Sequence, residues 1–428
     1  MTDTELDALV DDAFVVAFPL YEFARTRHAD LAGALGEPPL APNALRHQRE
    51  LSGADDRWIT TPNQDTLYSR AWLDLSHGPV TVSVDAQPPG RYWSVALMDA
   101  TTRNVAMLGM RLHGAGPARI TLVGPGAAAG APPDVERVRL PGRDLWLLAR
   151  WIVEGPQDLD AARAMQARLT VVAPSGATPA SVVPTASTDP ANLLAVANEQ
   201  LARNPPVGPD AERVARLAGV GLVPGRVDAF ERLPEPVRRC WTARIAANHA
   251  RLRGAIVTLR RQVDGWWVVD DHLRVGDHEV AWRAAVALGG LGALDADEAV
   301  YAGRVADDAG APLHGRHAYR VHVPPEGLPA RAFWSLSMYA LMPDGRKFFV
   351  HNPIGRHAIG DRTPGLRREA DGSLRLWLQA REPADPVPRA NWLPAPDGPF
   401  NLTLRAYWPS EALRRWAVPL PRLERLPD

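Results

Sequence analysis

Three short apolar runs, separated by proline and glycine, follow one another in AWLDLSHGPVTVSVDAQPPGRYWSVAL (71–97). Runs of the same kind return at 119–123 and 145–153, again beside glycine and proline. Short apolar segments at this spacing are typical of strands in an antiparallel sandwich or barrel. We therefore predict that this part of the chain forms a β-sandwich.

Helical periodicity lies on both sides of these runs. Residues 3–35 repeat apolar side chains at helical spacing after an acidic first turn, and 236–263 carry one apolar stripe that begins just after a proline. From 318 to 408 strand signals return. We predict an α+β fold, with two β-sandwich or jelly-roll-like domains, an N-terminal helix and a central helical segment.

A stretch rich in proline, serine and threonine separates the first set of strands from the central helices. Such a composition is typical of a linker. We predict four segments, in chain order: an N-terminal helical segment at 1–57, an N-terminal β-sandwich domain at 58–175, a linker and helical segment at 176–310, and a C-terminal jelly-roll-like domain at 311–428.

The composition excludes several classes of protein. The 428 residues carry 48 basic and 49 acidic side chains, so no basic excess exists to bind a nucleic-acid backbone. Lys347 is the only lysine and lies outside any P-loop pattern, which excludes a Walker site. The single Cys240 excludes an intramolecular disulfide and a multi-cysteine zinc site. We expect a small-molecule partner and no nucleic acid, and a homo-oligomer stays open.

The N-terminal residues favour a cytoplasmic location. Five acidic side chains precede the first apolar run, whereas a secretory signal has a basic n-region. No stretch approaches the length of uncharged apolar sequence that spans a bilayer. We therefore expect a cytoplasmic protein without a membrane partner.

Familiar catalytic motifs are incomplete or missing. His278 opens a His-Glu pair like that of zincins, but Trp282 stands where the second histidine would be. There is no Gly-x-Ser-x-Gly elbow, and no Gly-x-Gly-x-x-Gly follows a predicted strand. His314, His317 and His322 are close in sequence but lack the two-residue spacing of ligands on one strand. We expect neither a metal nor an organic cofactor.

The segment TPNQDTLYSR (61–70) is dense in short polar side chains just before a predicted strand. One interpretation is a capped turn, in which Asn63 and Asp65 bond the nearby backbone. The other is a polar cluster that lines a cleft, with Asp65 as acid or base and Tyr68 as a hydrogen-bond donor. The two interpretations are compatible, and the sequence leaves both open.

A second segment, FWSLSMY (333–339), alternates between two kinds of side chain. One strand face is apolar and is expected to be core; the other is amphipathic, as in a strand that lines a ligand site or faces solvent. The amphipathic face consists of Phe333, Ser335, Ser337 and Tyr339. The rigid, aromatic run NWLPAP (391–396) could pack a sandwich end or stack on a ring of a ligand.

Seven motifs of this chain resemble a bacterial two-domain family in which domain of unknown function 1254 precedes domain of unknown function 1214. They lie at Pro62–Ser69, Gly90–Ser94, Gly155–Leu159, Ala332–Ser335, Asp371–Leu374, Asn391–Pro396 and Leu404–Pro409. The resemblance covers most of the chain and implies β-sandwich, jelly-roll-like domains with helical additions. It implies no chemistry, because the family is named for having none assigned.

The chain departs from the family pattern at two places. The family usually has asparagine and an aromatic residue around the arginine of Asn-Pro-Ile-Asn-Arg-Tyr, whereas Gly355 and His357 flank Arg356 here. A tyrosine that often precedes Arg-Ala in the central helix is Trp282. Either change would fit an altered ligand. Relatives often carry export signals, so the resemblance together with the acidic N-terminus suggests a cytoplasmic specialist.

Our first functional hypothesis is a cofactor-independent enzyme that acts on a small polar or cyclic metabolite by acid/base chemistry: hydrolysis, elimination, isomerisation or cyclisation. Asp65 would be the base and Tyr68 a donor, with His47 and His357 as alternative bases. Arginine offers a planar fork for a carboxylate. The residues expected to bind substrate are Asn63, Arg91, Tyr92, Trp334, Tyr339, Asn352, Arg356 and Trp392.

Three alternatives stay open at this point. Arg91 and Arg356 could instead pair with acids, for example Asp99 or Asp361, and only hold loops. The protein could bind a carbohydrate or another small molecule without catalysis, with ligand rings stacked on the aromatic side chains of the C-terminal domain. It could also be an interaction scaffold, although that leaves the polar segment 62–70 unexplained.

Overall fold

The computed structural model describes residues 2–34, 36–57, 60–126, 136–270, 277–343 and 345–427, without the side chains of Asp277 and His278. Two ends of predicted elements, Leu35 and Trp58, lie outside the described residues, as does the side chain of His278 in the incomplete zincin motif.

The helices are α1 Asp3–Leu31, α2 Met110–His113, α3 Leu159–Gln166, α4 Pro190–Arg203, α5 Pro209–Arg216, α6 Ala229–Arg232, α7 Glu235–Thr258, α8 Asp277–Gly289, α9 Pro386–Ala390 and α10 Glu411–Arg414. The strands of the N-terminal half are β1 Arg46–His47, β2 Thr66–Asp74, β3 Val80–Val84, β4 Trp93–Asp99, β5 Asn104–Gly109, β6 Ala118–Val123, β7 Glu136–Arg139, β8 Asp144–Ile152 and β9 Leu169–Val172. The later strands are β10 Arg261–Val263, β11 Trp266–Val268, β12 Ala299–Arg304, β13 Tyr319–Val323, β14 Ala330–Leu341, β15 Lys347–Phe348, β16 Ala358–Gly360, β17 Leu374–Gln379, β18 Trp392–Pro394, β19 Phe400–Pro409 and β20 Arg422–Arg425.

The N-terminal domain is a sandwich of two sheets. The first sheet has the order β1-β2-β8-β4-β5, and the second has the order β7-β6-β3-β9. In β3 the side chains of Val80, Val82 and Val84 are buried between the sheets, while Thr81 and Ser83 are half-buried on the other side. This alternation fits a sandwich strand with one face on the core.

The C-terminal domain is a second sandwich. Its third sheet has the order β10-β11-β12-β19-β14-β15, with β16 also paired to β14, and its fourth sheet has the order β18-β17-β13-β20. Leu336 and Leu404 of the third sheet and Val321 and Leu376 of the fourth are buried in the shared core. Strands β10, β11 and β12, which lie within the predicted segment 176–310, complete the third sheet.

A layer of helices covers part of the outer face of the first sheet. Helix α1 starts with a capping box, in which Thr2 and Glu5 bond each other's backbone N–H. It contacts α4, α7 and α8, and this layer packs on Trp72 and Trp146, whose rings stack with centroids 5.1 Å apart. Apolar burial on this face therefore fixes the helices to the N-terminal sandwich.

The rest of that outer face meets the third sheet. Tyr92, Ala96 and Ile152 of the first sandwich are buried against Phe333 and Tyr407 of the second. The facing sheets therefore form an interface between the two sandwiches. The predicted fold class, α+β with two sandwich-like domains, an N-terminal helix and a central helical segment, is confirmed. In the described part of the chain, no helix has both the length and the apolar character needed to cross a membrane.

Candidate functional site

Polar side chains stand in rows on the two facing sheets. In the first sheet Tyr68 and Ser94 are the cross-strand neighbours of Arg150 on β8. In the third sheet Tyr301 and Ser335 are the neighbours of Arg405 on β19. Directly opposed residues of an antiparallel pair project from the same face, so each row presents its side chains together. We call the space between these rows, with Asp65 and Tyr407, the interdomain cleft.

Asp65 lies at the start of β2 and reaches across the interface. Its backbone N–H donates to Asn63 Oδ1 at 2.6 Å, and its carbonyl accepts from the N–H of Val153 at 2.9 Å. These bonds hold the turn, while the carboxyl Oδ2 accepts a hydrogen bond of 2.5 Å from Ser335 Oγ in the other domain. The capped turn is therefore present, and the same residue also contacts the other domain.

The environment of Asp65 favours its protonated form. The side chain of Asp65 is half-buried. Burial raises the pKa of Asp65 above 3.8, although Arg405 and the Ser335 hydroxyl act in the opposite direction. A raised pKa makes the Asp65 carboxylate a stronger base than an ordinary aspartate.

Arg405 is the cation that faces Asp65. Its guanidinium donates to Ser337 Oγ at 2.7 Å, to the Tyr339 hydroxyl at 2.8 Å and to the carbonyl of Thr61 at 3.1 Å. All three partners are neutral groups, and Asp65 is an acidic electrostatic neighbour of Arg405 at longer range. Thr61 has a φ of 52°, a left-handed conformation that strains a β-branched residue.

Arg150 is the second buried cation of the cleft and is only 4% exposed. Its Nη2 donates to the carbonyl of Gly292 at 2.6 Å, and its guanidinium lies 5.2 Å from the centre of the Tyr68 ring. Its Nη1 is buried and has no hydrogen-bond partner within the described ranges. The electrostatic neighbours of Arg150 include the phenols of Tyr301 and Tyr407.

Two tyrosines of the third sheet, Tyr301 and Tyr407, accept hydrogen bonds from the protein. Asn63 Nδ2 donates to the Tyr407 hydroxyl at 2.9 Å, and the N–H of Leu294 donates to the Tyr301 hydroxyl at 3.3 Å. Burial raises the pKa of both phenols above 10. Both hydroxyls therefore keep their protons at neutral pH.

The rings of Tyr92, Phe333 and Tyr407 form one side of the cleft, which we call its aromatic floor, and a buried glutamate bonds Tyr92 there. Tyr92 donates to Glu298 Oε1 at 2.9 Å, and Arg111 donates to Glu298 Oε2 at 2.8 Å. The rings of Phe333 and Tyr407 stack beside Tyr92 with centroids 4.3 Å apart. Burial raises the pKa of Glu298, while Arg111 and Tyr92 lower it. Tyr92, expected to bind substrate, is 1% exposed and supports the floor.

The predicted arginine clamps are occupied by the protein itself. Arg91 bonds both carboxylate oxygens of Asp158, at 2.7 and 2.5 Å, so the alternative of an acid partner applies, with Asp158 in place of the suggested acids. Arg356 Nη1 donates to the carbonyls of Ala390 and Trp392, at 3.1 and 2.8 Å. Contrary to expectation, neither guanidinium is directed at the interdomain cleft.

The predicted stacking aromatics are buried within the protein. Trp334 is 3% exposed and belongs to the C-terminal core, because it lies on the apolar face of its strand. Trp392 is 1% exposed and donates from Nε1 to the carbonyl of Gln379 at 2.8 Å. Tyr339 donates to the carbonyl of Pro62 at 2.6 Å and stacks on Phe349. These rings therefore offer no face to a ligand, and Tyr339 acts as a support for Arg405.

The two histidines proposed as alternative bases have other environments. His47 Nδ1 lies 2.7 Å from Ser69 Oγ, on the opposite face of β2 from Tyr68. Burial lowers the pKa of His357 to about 4, so its ring is neutral at pH 7. Asn352 accepts backbone N–H bonds at Oδ1 and lies 3.1 Å from His357 Nδ1 through Nδ2, which fixes that loop and places the ring proton on Nε2.

The residues missed from the sequence are Arg150, Tyr301, Arg405 and Tyr407. Two signals were present: an arginine within the apolar strand Asp144–Ile152, and the same alternation on Phe400–Pro409 that singled out Ser335. An arginine in a fully buried strand needs a special partner. Tyr301 had no such signal, because its strand was not predicted.

A metal centre needs several ligating side chains that lie close together. Within the described ranges, no three histidine, cysteine, aspartate or glutamate side chains come together as metal ligands. Acid/base chemistry at Asp65 would need only the side chains of the cleft.

Comparison with known proteins places the chain by its two domains. Residues 42–173 match the family described as Protein of unknown function (DUF1254), and residues 298–411 match Protein of unknown function (DUF1214). The crystal structure of the VPA0106 protein from Vibrio parahaemolyticus is similar, with a TM-score of 0.77 and 20% identity over 99% of this chain and 100% of that one. This likeness shows the shared fold.

A crystal structure of an uncharacterised protein from Burkholderia cenocepacia has a TM-score of 0.49 and 14% identity, over 99% of this chain and 96% of that one. No curated protein matches the chain.

Proposed function

This chain belongs to the family of proteins in which a DUF1254 domain precedes a DUF1214 domain, and we propose that its interdomain cleft is the active site of an acid/base enzyme. The substrate is a small polar or cyclic metabolite. The reaction is a proton transfer that leads to hydrolysis, elimination, isomerisation or cyclisation, and it uses the side chains of the cleft without a cofactor.

The observation that carries this proposal is the placement of Asp65. A carboxyl group with a raised pKa is held by Ser335 from the opposite domain and faces the buried cation of Arg405. Structural carboxylates are normally paired directly or exposed to water, whereas a desolvated carboxyl beside a cation in a cleft is a feature of acid/base sites.

Each side chain of the cleft has a role in the proposed reaction. Asp65 takes a proton from the substrate and returns it at a later step. Negative charge that develops on the substrate is stabilised by Arg150 and by the protonated hydroxyls of Tyr301 and Tyr407. Arg405 stabilises the ionised form of Asp65, and the two sandwiches exclude water from the reaction space.

The test is a screen of metabolite pools in D2O followed by proton NMR, which detects both turnover and deuterium incorporation at carbon. We expect Asp65→Asn to lower the rate at least about a hundredfold, because the amide keeps the shape but cannot accept the proton. Asp397→Asn, which removes an exposed carboxylate that is not among the side chains of the cleft, is the matched control and should keep the wild-type rate.

Two outcomes would contradict the proposal. A wild-type protein that binds a metabolite in the cleft but neither converts it nor exchanges its protons would be a binding protein. A melting temperature tens of degrees lower for Asp65→Asn would show that the carboxylate has a structural role, through its bond to Ser335 of the other domain.

A further inference from the structure

We propose that the substrate carries a carboxylate, and that Arg150 with the hydroxyls of Tyr301 and Tyr407 forms its binding site. This inference rests on the proposed function only in taking the interdomain cleft as the place where substrate binds. It assigns a chemical class to the ligand and a role to three residues that the sequence did not single out.

The first argument is the lack of an acid partner for Arg150. Two other buried arginines show the usual arrangement and bond carboxylates directly: Arg70 donates to Asp30 at 2.8 Å, and Arg203 donates to Asp144 at 2.6 Å. Within the described ranges, no carboxylate lies at ion-pairing distance from Arg150, and its Nη2 bonds the backbone carbonyl of Gly292. Its neighbour Glu298 is already bonded by Arg111 and a tyrosine.

The second argument is the orphaned nitrogen. Arg150 Nη1 is buried and has no acceptor in the described part of the chain. A buried charge with unmade hydrogen bonds is strongly unfavourable, so a native protein rarely keeps one without a ligand or a partner. An anion that accepts from Nη1 removes this penalty.

The third argument is the direction of the neighbouring hydroxyl groups. The Tyr407 hydroxyl accepts from Asn63, and the Tyr301 hydroxyl accepts from the N–H of Leu294. Each phenol therefore has its own proton left to donate, and no acceptor for either proton occurs among the described residues. Together with Arg150 Nη1, the site offers several donors and lacks acceptors, which is the complement of a group that only accepts.

A carboxylate fits this set better than a phosphate does. It is an acceptor-only group with a single negative charge, and its two oxygens can take bonds from the guanidinium and from both hydroxyls. The site supplies one cation, Arg150, while Asp65 is close enough to Tyr407 to raise its pKa. A dianionic phosphate would place a second negative charge near Asp65, whereas the other buried cation, Arg405, already donates to Ser337, Tyr339 and Thr61.

The arrangement also relates binding to chemistry. Tyr407 is an electrostatic neighbour of both Arg150 and Asp65. A carboxylate that binds Arg150 and the Tyr407 hydroxyl is therefore close to Asp65. The proton that Asp65 moves would then be near the carboxylate along the substrate chain.

The experiment is calorimetric titration of the full-length protein with acetate, malonate and inorganic phosphate, with neutral acetamide as the uncharged analogue. We expect carboxylates to bind and acetamide not to bind. Arg150→Met should weaken carboxylate binding at least about tenfold. Arg356→Lys is the matched control, since Nη1 of its guanidinium donates to the backbone carbonyls of Ala390 and Trp392, and it should bind as the wild type does.

Arg150 is buried, so a second pair of variants guards against misfolding. Tyr407→Phe and Tyr301→Phe each remove one hydroxyl, and we expect each to weaken carboxylate binding about threefold to tenfold while the protein stays folded. Tyr319→Phe, which removes a buried hydroxyl bonded to the backbone of His314 in the C-terminal domain, is the matched control and should have no effect.

Several results would overturn the assignment. These are binding of acetamide as tight as acetate, tighter binding of phosphate than of any carboxylate, and unchanged affinity in both tyrosine variants. Asp65→Asn separates this inference from the proposed function, because it removes turnover but should keep or strengthen carboxylate binding once a nearby negative charge is gone.

Discussion

Asp361 shows how the surroundings of one residue at the cleft set its protonation. Its Oδ1 accepts from the N–H of Trp334 at 3.0 Å, next to the serine that holds Asp65. Burial raises the pKa of Asp361 to about 6, with a further increase from Asp65, while the N–H of Trp334 and Arg362 act in the opposite direction. Asp361, which lies beside Asp65 at the cleft, therefore changes its charge near pH 6.

This raised pKa predicts a loss of stability as the pH rises. In the unfolded chain Asp361 titrates near 3.8, so between about pH 4 and pH 6 the folded protein binds more protons than the unfolded one. Stability relative to Asp361→Asn should therefore fall by up to about 3 kcal/mol over this window and stay constant above it. Urea unfolding of both proteins at several pH values measures the difference. A difference that rises with pH would mean that the carboxylate is stabilised by folding.

At the scale of elements, two buried arginines connect helices to the ends of strands. Arg203 at the end of α4 donates from Nη2 to Asp144 at the start of β8, at 2.6 Å, and also bonds it through Nε. Arg27 of α1 lies 3.4 Å from the same carboxylate and 3.9 Å from Asp74 at the end of β2. Arg27 Nε and Nη2 have no hydrogen-bond partner in the described part of the chain, and burial lowers the pKa of Arg27.

These contacts predict unequal effects of two similar substitutions. Arg203→Met should destabilise the protein by about 3–5 kcal/mol, because it leaves Asp144 buried without its main donors. Arg27→Met should cost about half of that or less, since it also removes a poorly satisfied buried cation. Chemical denaturation of both variants compares them directly. Equal losses would show that Arg27 stabilises the fold as much as Arg203 does.

At the scale of the whole molecule, the cleft exists because two sandwiches present polar rows on facing sheets. The Ser335–Asp65 and Asn63–Tyr407 bonds cross between the domains, so the site is assembled from residues about 270 and 344 positions apart in sequence. Neither domain contains the site alone. A substitution at the interface is therefore expected to change both domain association and the site.

Whether the protein holds a metal ion depends on ligating side chains from the whole chain. We predict no stoichiometric transition metal after purification without chelators, since the described residues form no cluster of three ligating side chains. Elemental analysis of the purified protein measures this. About one zinc, iron or manganese per chain would contradict it, and His314, His317 and His322 would then be the first ligands to replace.

Local patterns accounted for part of the candidate site. The polar segment around Asp65 and the alternation on β14 were visible in the sequence, because turn chemistry and strand periodicity depend on near neighbours. The residue types of Trp334 and Arg91 suggest ligand binding. The sequence does not reveal their actual partners, which are the C-terminal core for Trp334 and Asp158 for Arg91. Residue type shows what a side chain can do, and tertiary contacts decide what it is bonded to.

The amino-acid sequence by itself determined the α+β class, the two sandwich-like domains and the helices between them, because hydrophobic periodicity and turn residues act within short windows. Only the tertiary structure decided which polar faces meet. The pairing of β12 and β14 with β19, and of β2 and β4 with β8, brings Tyr301 and Arg405 opposite Arg150 and Tyr68. Burial between distant segments determines which polar faces meet. The partners of a buried polar side chain lie far away in sequence, so no local pattern reveals them.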